Sequence, residues 1–312
     1  MEHKMYDLVV IGGGPVGLYA TFLAGLLQLE TICLEIDETL GGQATKLYPF
    51  KKIHDYPGHL EIKATDLMDI FTKQAINSEY TKIQTKTNIV SYEVKDNFVI
   101  LYDQNNNEYH TKNVLLTVGP GGFEPMKLTD DMYDEISKSN IFYTHDITKD
   151  LTHKNVVVLG GGDSATDYAC QFKEQFPNCN VTLIHRGDKL RSIVRTLDDL
   201  NQANVNVILN ANLVNIQDNK CAIETDGNVI SIPFDYALVQ YGLKPLGSNV
   251  HKWEEFAKNK NKFVVNELQQ TSVNYFYAAG NCCYNPSKID LITIGMGEAA
   301  IIINKIYKEI KN

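Results

Sequence analysis

The chain has 312 residues, 44% hydrophobic and 21% charged, which is ordinary for a globular protein and enough for two packed cores. A formal net charge of −9 argues against nucleic acid as the main partner, because a phosphate backbone needs a basic surface. Six scattered cysteines (Cys33, Cys170, Cys179, Cys221, Cys282, Cys283) show no C-x-x-C and no metal-ligand spacing. With no secretory leader in the sequence they point to a reducing cytoplasm, and the N-terminal apolar stretch, broken by GGGP, is no membrane span.

Residues Tyr6–Asp37 organise the rest. An apolar run, Leu8–Ile11, reads as a fully buried parallel strand. Gly12, Gly14 and Gly17 follow at G-x-G-x-x-G spacing, then a helical run to about Leu29 and a second strand, Thr31–Leu34, ending at Glu35. Gly12 allows the tight turn, Gly14 lets the main chain approach a pyrophosphate, and Gly17 lets helix and strand pack closely. The helix N-terminus offers N–H groups to phosphates, and Glu35, about 20 residues on, suits a ribose.

The segment 41–58 (GGQATKLYPFKKIHDYPG) is expected to be an ordered loop without helix, carrying Gln43, Tyr48 and Asp55 toward a ring system. Ile62–Gln74 reads as an amphipathic helix. Ile83–Val94 and Phe98–Tyr102 read as hairpin-like runs, with Asn105–Asn107 as a turn, and Asn113–Thr117 as another buried strand. The Gly/Pro cluster Gly119–Pro125 is a crossover or hinge.

A second nucleotide unit opens at Asn155, where Gly160, Gly162 and Ala165 give G-x-G-x-x-A, with Asp163 and Ser164 in the first helical turn. Its second strand, Val181–Ile184, ends in His185 and Arg186 instead of an acid, and Arg191 and Arg195 follow. A 2′-phosphate is repelled by a carboxylate and gripped by arginines, so this unit reads as NADP(H)-binding; a solvated basic patch is the plainer alternative. Val205–Ile208, Cys221–Thr225, Ile230–Ile232 and Phe234–Tyr241 read as strands leading to a second Gly/Pro crossover at GLKPLG. The chain is therefore expected to leave its first domain near residue 119 and to return near 245, and the two crossovers make a hinge for rotating the segment between them. The last segment is a strand (YFYAAG), NCCYNPSKIDLI, and a helix whose Gly295 and Gly297 let its N-terminus approach a planar ring.

The ordered motifs VIGGGPVGLYA, GGQATKLYP with DYPG, GGFEPMKL, GGGDSATDYA, LIHRGDKLR, YGLKP and AAGNCCYNPSKIDLITIGMGEAA carry a resemblance over nearly the whole chain. It resembles the thioredoxin-reductase-like, homodimeric (type 2) ferredoxin/flavodoxin–NADP+ reductases. That implies an α/β fold of two Rossmann-like (GR2-type) nucleotide-binding domains, one inserted into the other. The FAD-binding domain would be 1–118 with 245–312, and the NADP(H)-binding domain 119–244. FAD contacts carried over by position are Gly12, Gly14, Pro15, Gly17, Glu35, Gly42, Gln43, Tyr48, Asp55, Ile89, Phe123 and Asn281. NADPH contacts are Gly160, Gly162, Asp163, Ser164, His185, Arg186 and Arg191. The resemblance implies hydride transfer from NADPH to the flavin N5, then single electrons to a ferredoxin or flavodoxin, with no protein general acid or base.

Three departures accompany it. Asn281 stands where the family carries Asp, which loses charge assistance worth roughly 1 kcal/mol for FAD. Gly187 replaces the second arginine of H-R-R, weakening the 2′-phosphate clamp. The sequence ends at Asn312 without the family's aromatic C-terminal extension, so a more open flavin face is expected. Internal disulfide reduction is not expected, because Ser139–Asp146 reads SNIFYTHD without cysteine, and Cys282–Cys283 read as two small buried hydrophobes. Lys46, Lys51, Lys52 and Lys63 form a candidate landing patch for an acidic carrier. The alternatives are a reductase of ferric chelates, quinones or oxygen, and a flavin-dependent sensor with a weakened NADPH site.

Overall fold

The computed structural model describes residues 4–47, 49, 52–144, 149–192 and 194–311, with the main chain alone at 123, 194, 195 and 245–247. The chain divides into two compact units, Met1–Gly122 with Pro245–Asn312, and Phe123–Lys244. The chain passes from the first to the second on the strand Gly122–Pro125 and returns on Leu243–Gly247.

The first unit is built on a parallel sheet ordered Phe276–Ala278, Val114–Leu116, Leu8–Ile11, Thr31–Leu34, Thr81–Gln84. Its central strands are buried along their whole length, which is why their sequences are unbroken apolar runs and not alternating ones. The helices Pro15–Leu26 and Ile292–Lys311 share one apolar layer with this sheet: Leu8, Val10, Ala20, Ala24, Leu115, Ile302 and Ile306 are all fully buried. The opposite face is closed by a second sheet, Met5–Tyr6, Glu108–Thr111, Val99–Asp103, Ile89–Val94, and by an aromatic group of Tyr92, Trp253, Phe256 and Phe276.

The second unit repeats the plan with a parallel sheet ordered Ile141–Phe142, Tyr236–Val239, Asn155–Leu159, Asn180–Ile184, Asn206–Ile208. Helix Asp163–Gln175 packs Tyr168, Ala169 and Phe172 on it, and an antiparallel sheet of Asn212–Gln217, Lys220–Thr225 and Asn228–Pro233 completes the unit. Two dinucleotide-binding-type α/β units in one chain bear out the expected fold class.

Several elements differ from the sequence reading. The 41–58 loop contains a one-turn helix, Gln43–Lys46, and a short strand, Lys52–Ile53. The amphipathic helix begins later, at Ala64, because Ile62–Lys63 pairs with Lys52–Ile53. The run Ile83–Val94 is not one hairpin arm: Ile83 belongs to the parallel sheet, and the antiparallel strand starts at Ile89. Thr85–Asn88 makes the corner, with Lys86 at φ 54°.

His251 is stacked on Phe263, receives the Ser248 hydroxyl group at Nδ1 (2.7 Å), and hydrogen-bonds to the Gly119 main chain. Burial, and then the Lys258 ammonium, hold its pKa below the ordinary 6.5. The unfolded chain therefore binds a proton that the folded unit refuses as pH falls through about 6.5, so stability is lost in that direction. Thermal melts at pH 7.5 and 5.5 are expected to show a lower Tm at pH 5.5, with the gap narrowed in His251→Gln. An unchanged gap in that variant refutes the assignment.

Candidate functional site

In the first unit five segments converge on the N-terminus of helix Pro15–Leu26. Gly12 sits at φ 112°, and a Cβ there would lie 2.6 Å from the Thr117 carbonyl oxygen. Thr117 Oγ1 donates to the Gly12 carbonyl at 2.8 Å, fixing the turn. A Cβ on Gly17 would lie 1.9 Å from the Gly12 carbonyl oxygen, so the close helix–strand approach is real. Gly14 is different: a Cβ there would meet no protein atom within 4 Å. The helix N-cap is Gly14 itself, with no side-chain cap, so the first-turn N–H groups face that open position.

Around this turn, Gly41 donates its N–H to the Gly13 carbonyl (2.8 Å), and Gly42, at φ 57°, passes close to the Gly14 Cα. A Cβ on Gly119 would come within 3.7 Å of the Gln43 Nε2, so Gln43 lies beside that residue. Gly280 packs on Val16, placing half-buried Asn281 next to the helix start. Glu35, 5% exposed, accepts from the Gly13 N–H on Oε2 and the Asp37 N–H on Oε1 (2.9 Å). Burial raises its pKa against the pull of those two donors. Each oxygen keeps a lone pair for a hydroxyl donor, as a ribose would provide.

Other expected contacts are placed less directly. Asp55 is exposed on its loop, and Ile89, 2% exposed, puts its side chain in the core beside Ile11 and Leu34, leaving only its main chain to offer a ligand. Tyr48 lies outside the described residues, and Phe123 is described by its main chain alone. Gly295 does not leave a surface for a ring: a Cβ there would meet Val16 at 2.5 Å, whereas Gly297 faces open space. Gly41, Thr117, Lys288 and Glu298 were not singled out by sequence, since each acts through a contact with a residue distant in the chain.

The second unit builds its own turn. Gly160 sits at φ 151° with the Gln240 carbonyl where its Cβ would be, and Gly162, like Gly14, would meet nothing within 4 Å. Asp163 and Ser164 open the helix that Gly162 caps. His185, 8% exposed, lies directly against Gly161, and a Cβ on Gly187 would come within 2.8 Å of its ring. Burial, then Arg191 and Arg186, push the His185 pKa down from its ordinary value, which favours the neutral ring. Arg191 donates its main-chain N–H to the Gly161 carbonyl (2.7 Å), tying the loop after the strand back to the turn. The side chains of Arg186 and Arg191 are exposed, on the segment that follows the second parallel strand of the unit, Asn180–Ile184. Replacing both with Ala is expected to raise the KM for NADPH about 10- to 100-fold while leaving that for NADH nearly unchanged, about 1.4–2.8 kcal/mol, the scale of two charged hydrogen bonds weakened by exposure to solvent. Steady-state kinetics with both nucleotides check this; an equal rise for both would assign the arginines to the shared diphosphate.

All six cysteines are free, and Cys282 and Cys283 are fully buried. Their Sγ atoms face main-chain carbonyls of Leu116, Ala279 and Gly280 at 3.2 Å. Burial pushes the Cys282 thiol up to about 12 and Cys283 higher still, which suits two small apolar groups and not a dithiol relay. Among the described residues no cluster of His, Cys, Asp and Glu is arranged to hold a metal, and no helix is long and apolar enough to cross a membrane.

Two parallel sheets, each opening on a glycine turn with an open central position, define a dinucleotide-binding protein with two cradles. The sequence profile of the pyridine nucleotide-disulphide oxidoreductases matches residues 6–299, and the chain belongs to that family. Within it, the chain is 33% identical to the ferredoxin–NADP reductase of Streptococcus sanguinis over 98% of this chain and 95% of that one. It is 30% identical to the ferredoxin–NADP reductase of Malacoplasma penetrans, covering 99% and 98%. Among solved structures, thioredoxin reductase of T. acidophilum superposes with a TM-score of 0.78 at 23% identity, covering 99% of this chain and all (100%) of that one. The Lactococcus lactis thioredoxin reductase gives 0.75 at 21%, covering 97% and 98%. These structures share the fold; the sequence relatives bear out the resemblance to ferredoxin–NADP+ reductases.

Proposed function

We propose that the protein is an NADPH-dependent FAD reductase that passes electrons to a ferredoxin or flavodoxin, working as a homodimer in the cytoplasm. The observation that carries this is the pair of open positions at Gly14 and Gly162, one on each glycine turn, each where a Cβ would meet no protein atom. Gly12, Gly14, Pro15, Gly17, Glu35, Gly42, Gln43, Asp55 and Asn281 would hold FAD. Gly160, Gly162, Asp163, Ser164, His185, Arg186 and Arg191 would hold NADPH. FAD, when bound, supplies hydride acceptance from NADPH and one-electron delivery to the carrier. The chain's own part is placement: Glu35 takes ribose hydroxyls, the uncapped first turns meet the diphosphates, and Arg186 and Arg191 select the phosphorylated nucleotide.

A second reading, small acceptors such as ferric chelates or quinones, is favoured by one finding. Lys46 is paired with Asp37 (2.9 Å) and Lys52 with Glu61 (3.2 Å), so two lysines of the expected landing patch are neutralised locally. Lys51 lies outside the described residues. Anaerobic stopped-flow mixing with NADPH, then with ferredoxin, flavodoxin, ferric citrate or a quinone, separates the readings. Bleaching of the flavin within seconds, followed by fastest reoxidation by a carrier protein, supports the first. No bleaching by NADPH sinks both, and faster reoxidation by the small acceptors transfers the function to the second.

A further inference from the structure

We infer that Glu298, neutralised by Lys288, is a positioning residue for FAD: it fixes the Gly280–Asn281 turn against the helix N-terminus where the cofactor's diphosphate and ribityl chain would lie. The inference rests on the FAD reading given above and concerns residues that reading does not use.

Glu298 sits on the buried stripe of the last helix with Gly295, Ala299 and Ile302, where an apolar residue would be expected. Its side chain is 7% exposed and that of Lys288 5%, and the Lys288 Nζ donates to both carboxylate oxygens at 2.6 Å. Glu298 Oε2 also accepts the Gly280 N–H at 2.8 Å and faces the Cys283 Sγ at 3.5 Å. One carboxylate thus ties residues 280, 283 and 288 together and closes the loop between them. Within the turn, Gly280, Cys282 and Cys283 are buried, and Asn281 alone is left half-exposed. Gly280, at φ 75°, is pressed on Val16 in the first turn of helix Pro15–Leu26, and Gly295 packs on both.

Stability alone does not account for this arrangement. Removing two charges from water costs about as much as their attraction returns, and well-packed apolar replacements are often as stable. A carboxylate is, however, the strongest side-chain acceptor for a main-chain N–H, and it holds the left-handed Gly280 in one orientation. A ligand that must meet Asn281 and the Gly14 position together needs that turn already fixed, since any ordering left until binding is subtracted from affinity.

The test compares two double variants that both remove the buried charges: Lys288→Met/Glu298→Gln, which keeps an acceptor for the Gly280 N–H, and Lys288→Met/Glu298→Leu, which does not. FAD Kd is measured on apoprotein by quenching of flavin fluorescence, visible circular dichroism of the bound flavin reports its setting, and NADP+ Kd controls for folding of the other unit. The Leu variant is expected to bind FAD at least about fivefold more weakly than the Gln variant, the scale of one unmade buried hydrogen bond, with an altered flavin dichroism and unchanged NADP+ Kd. A smaller ratio, or a parallel loss of NADP+ binding, overturns the inference. Wild-type protein that takes up no FAD sinks instead the reading on which it rests.

Discussion

Gly14→Ala is expected to fold with a Tm close to wild type and to bind FAD at least tenfold more weakly, on the order of 1–3 kcal/mol for a methyl forced against a ligand already in contact. A Cβ at Gly14 meets no protein atom within 4 Å, and the residue sits at φ −75°, ψ −177°, which alanine adopts freely. The folded protein therefore has no objection to alanine; only a ligand lying on the turn does. Gly17→Ala is the control with the opposite logic. Its Cβ would lie 1.9 Å from the Gly12 carbonyl, so the chain itself must move, and stability falls by about 3 kcal/mol or more whether or not FAD is present. Differential scanning calorimetry of apoproteins and flavin titration together decide it. Gly14→Ala protein that retains flavin through purification as wild type does would mean the cofactor lies elsewhere.

What could be read before the structure was whatever the main chain dictates locally. The buried parallel strands announced themselves as short, largely apolar runs, because strands covered on both faces cannot alternate. The glycine turns were legible because Gly12 and Gly160 need φ values other residues rarely adopt. Glu35 was legible by its distance from the turn. The segment 41–58 was misread because glycine and proline density signals irregular chain, yet the four residues Gln43–Lys46 between those signals suffice for one helical turn. Ile83 was misassigned because a β-branched residue in a strand does not say which sheet it joins. The Lys288–Glu298 pair was beyond reach for a different reason. Charged residues ten positions apart read as two solvated groups, and only packing of the last helix against Val16 and Gly280 encloses them. One sign was present: Glu298 falls on the helix's apolar stripe, where a carboxylate needs a partner. Gly187 likewise read as a lost arginine. The fold adds that His185 occupies the space beside it, so position 187 is tight as well as uncharged.

Gly162→Ala should separate the two cradles. Its Cβ too would meet no protein atom, and its φ of −97° with ψ 178° is extended main chain that alanine accepts. The variant is expected to purify yellow, with wild-type FAD content, because Gly14, Glu35 and Asn281 belong to the other compact unit. Its reduction by NADPH should nevertheless slow by about 10- to 100-fold at limiting nucleotide, since the methyl would stand where the proposed site brings a diphosphate against the Gly162–Asp163 main chain. Arg186→Ala with Arg191→Ala is expected to alter the choice between NADPH and NADH; Gly162→Ala should weaken both equally, because the diphosphate is common to the two. Stopped-flow bleaching of the flavin across a range of each nucleotide distinguishes these patterns. Dithionite, which needs no nucleotide cradle, should still reduce the variant's flavin at the wild-type rate. A variant bleached by NADPH as fast as wild type would show that the second glycine turn takes no part in delivering the hydride, and would remove the nicotinamide donor from the middle of the chain.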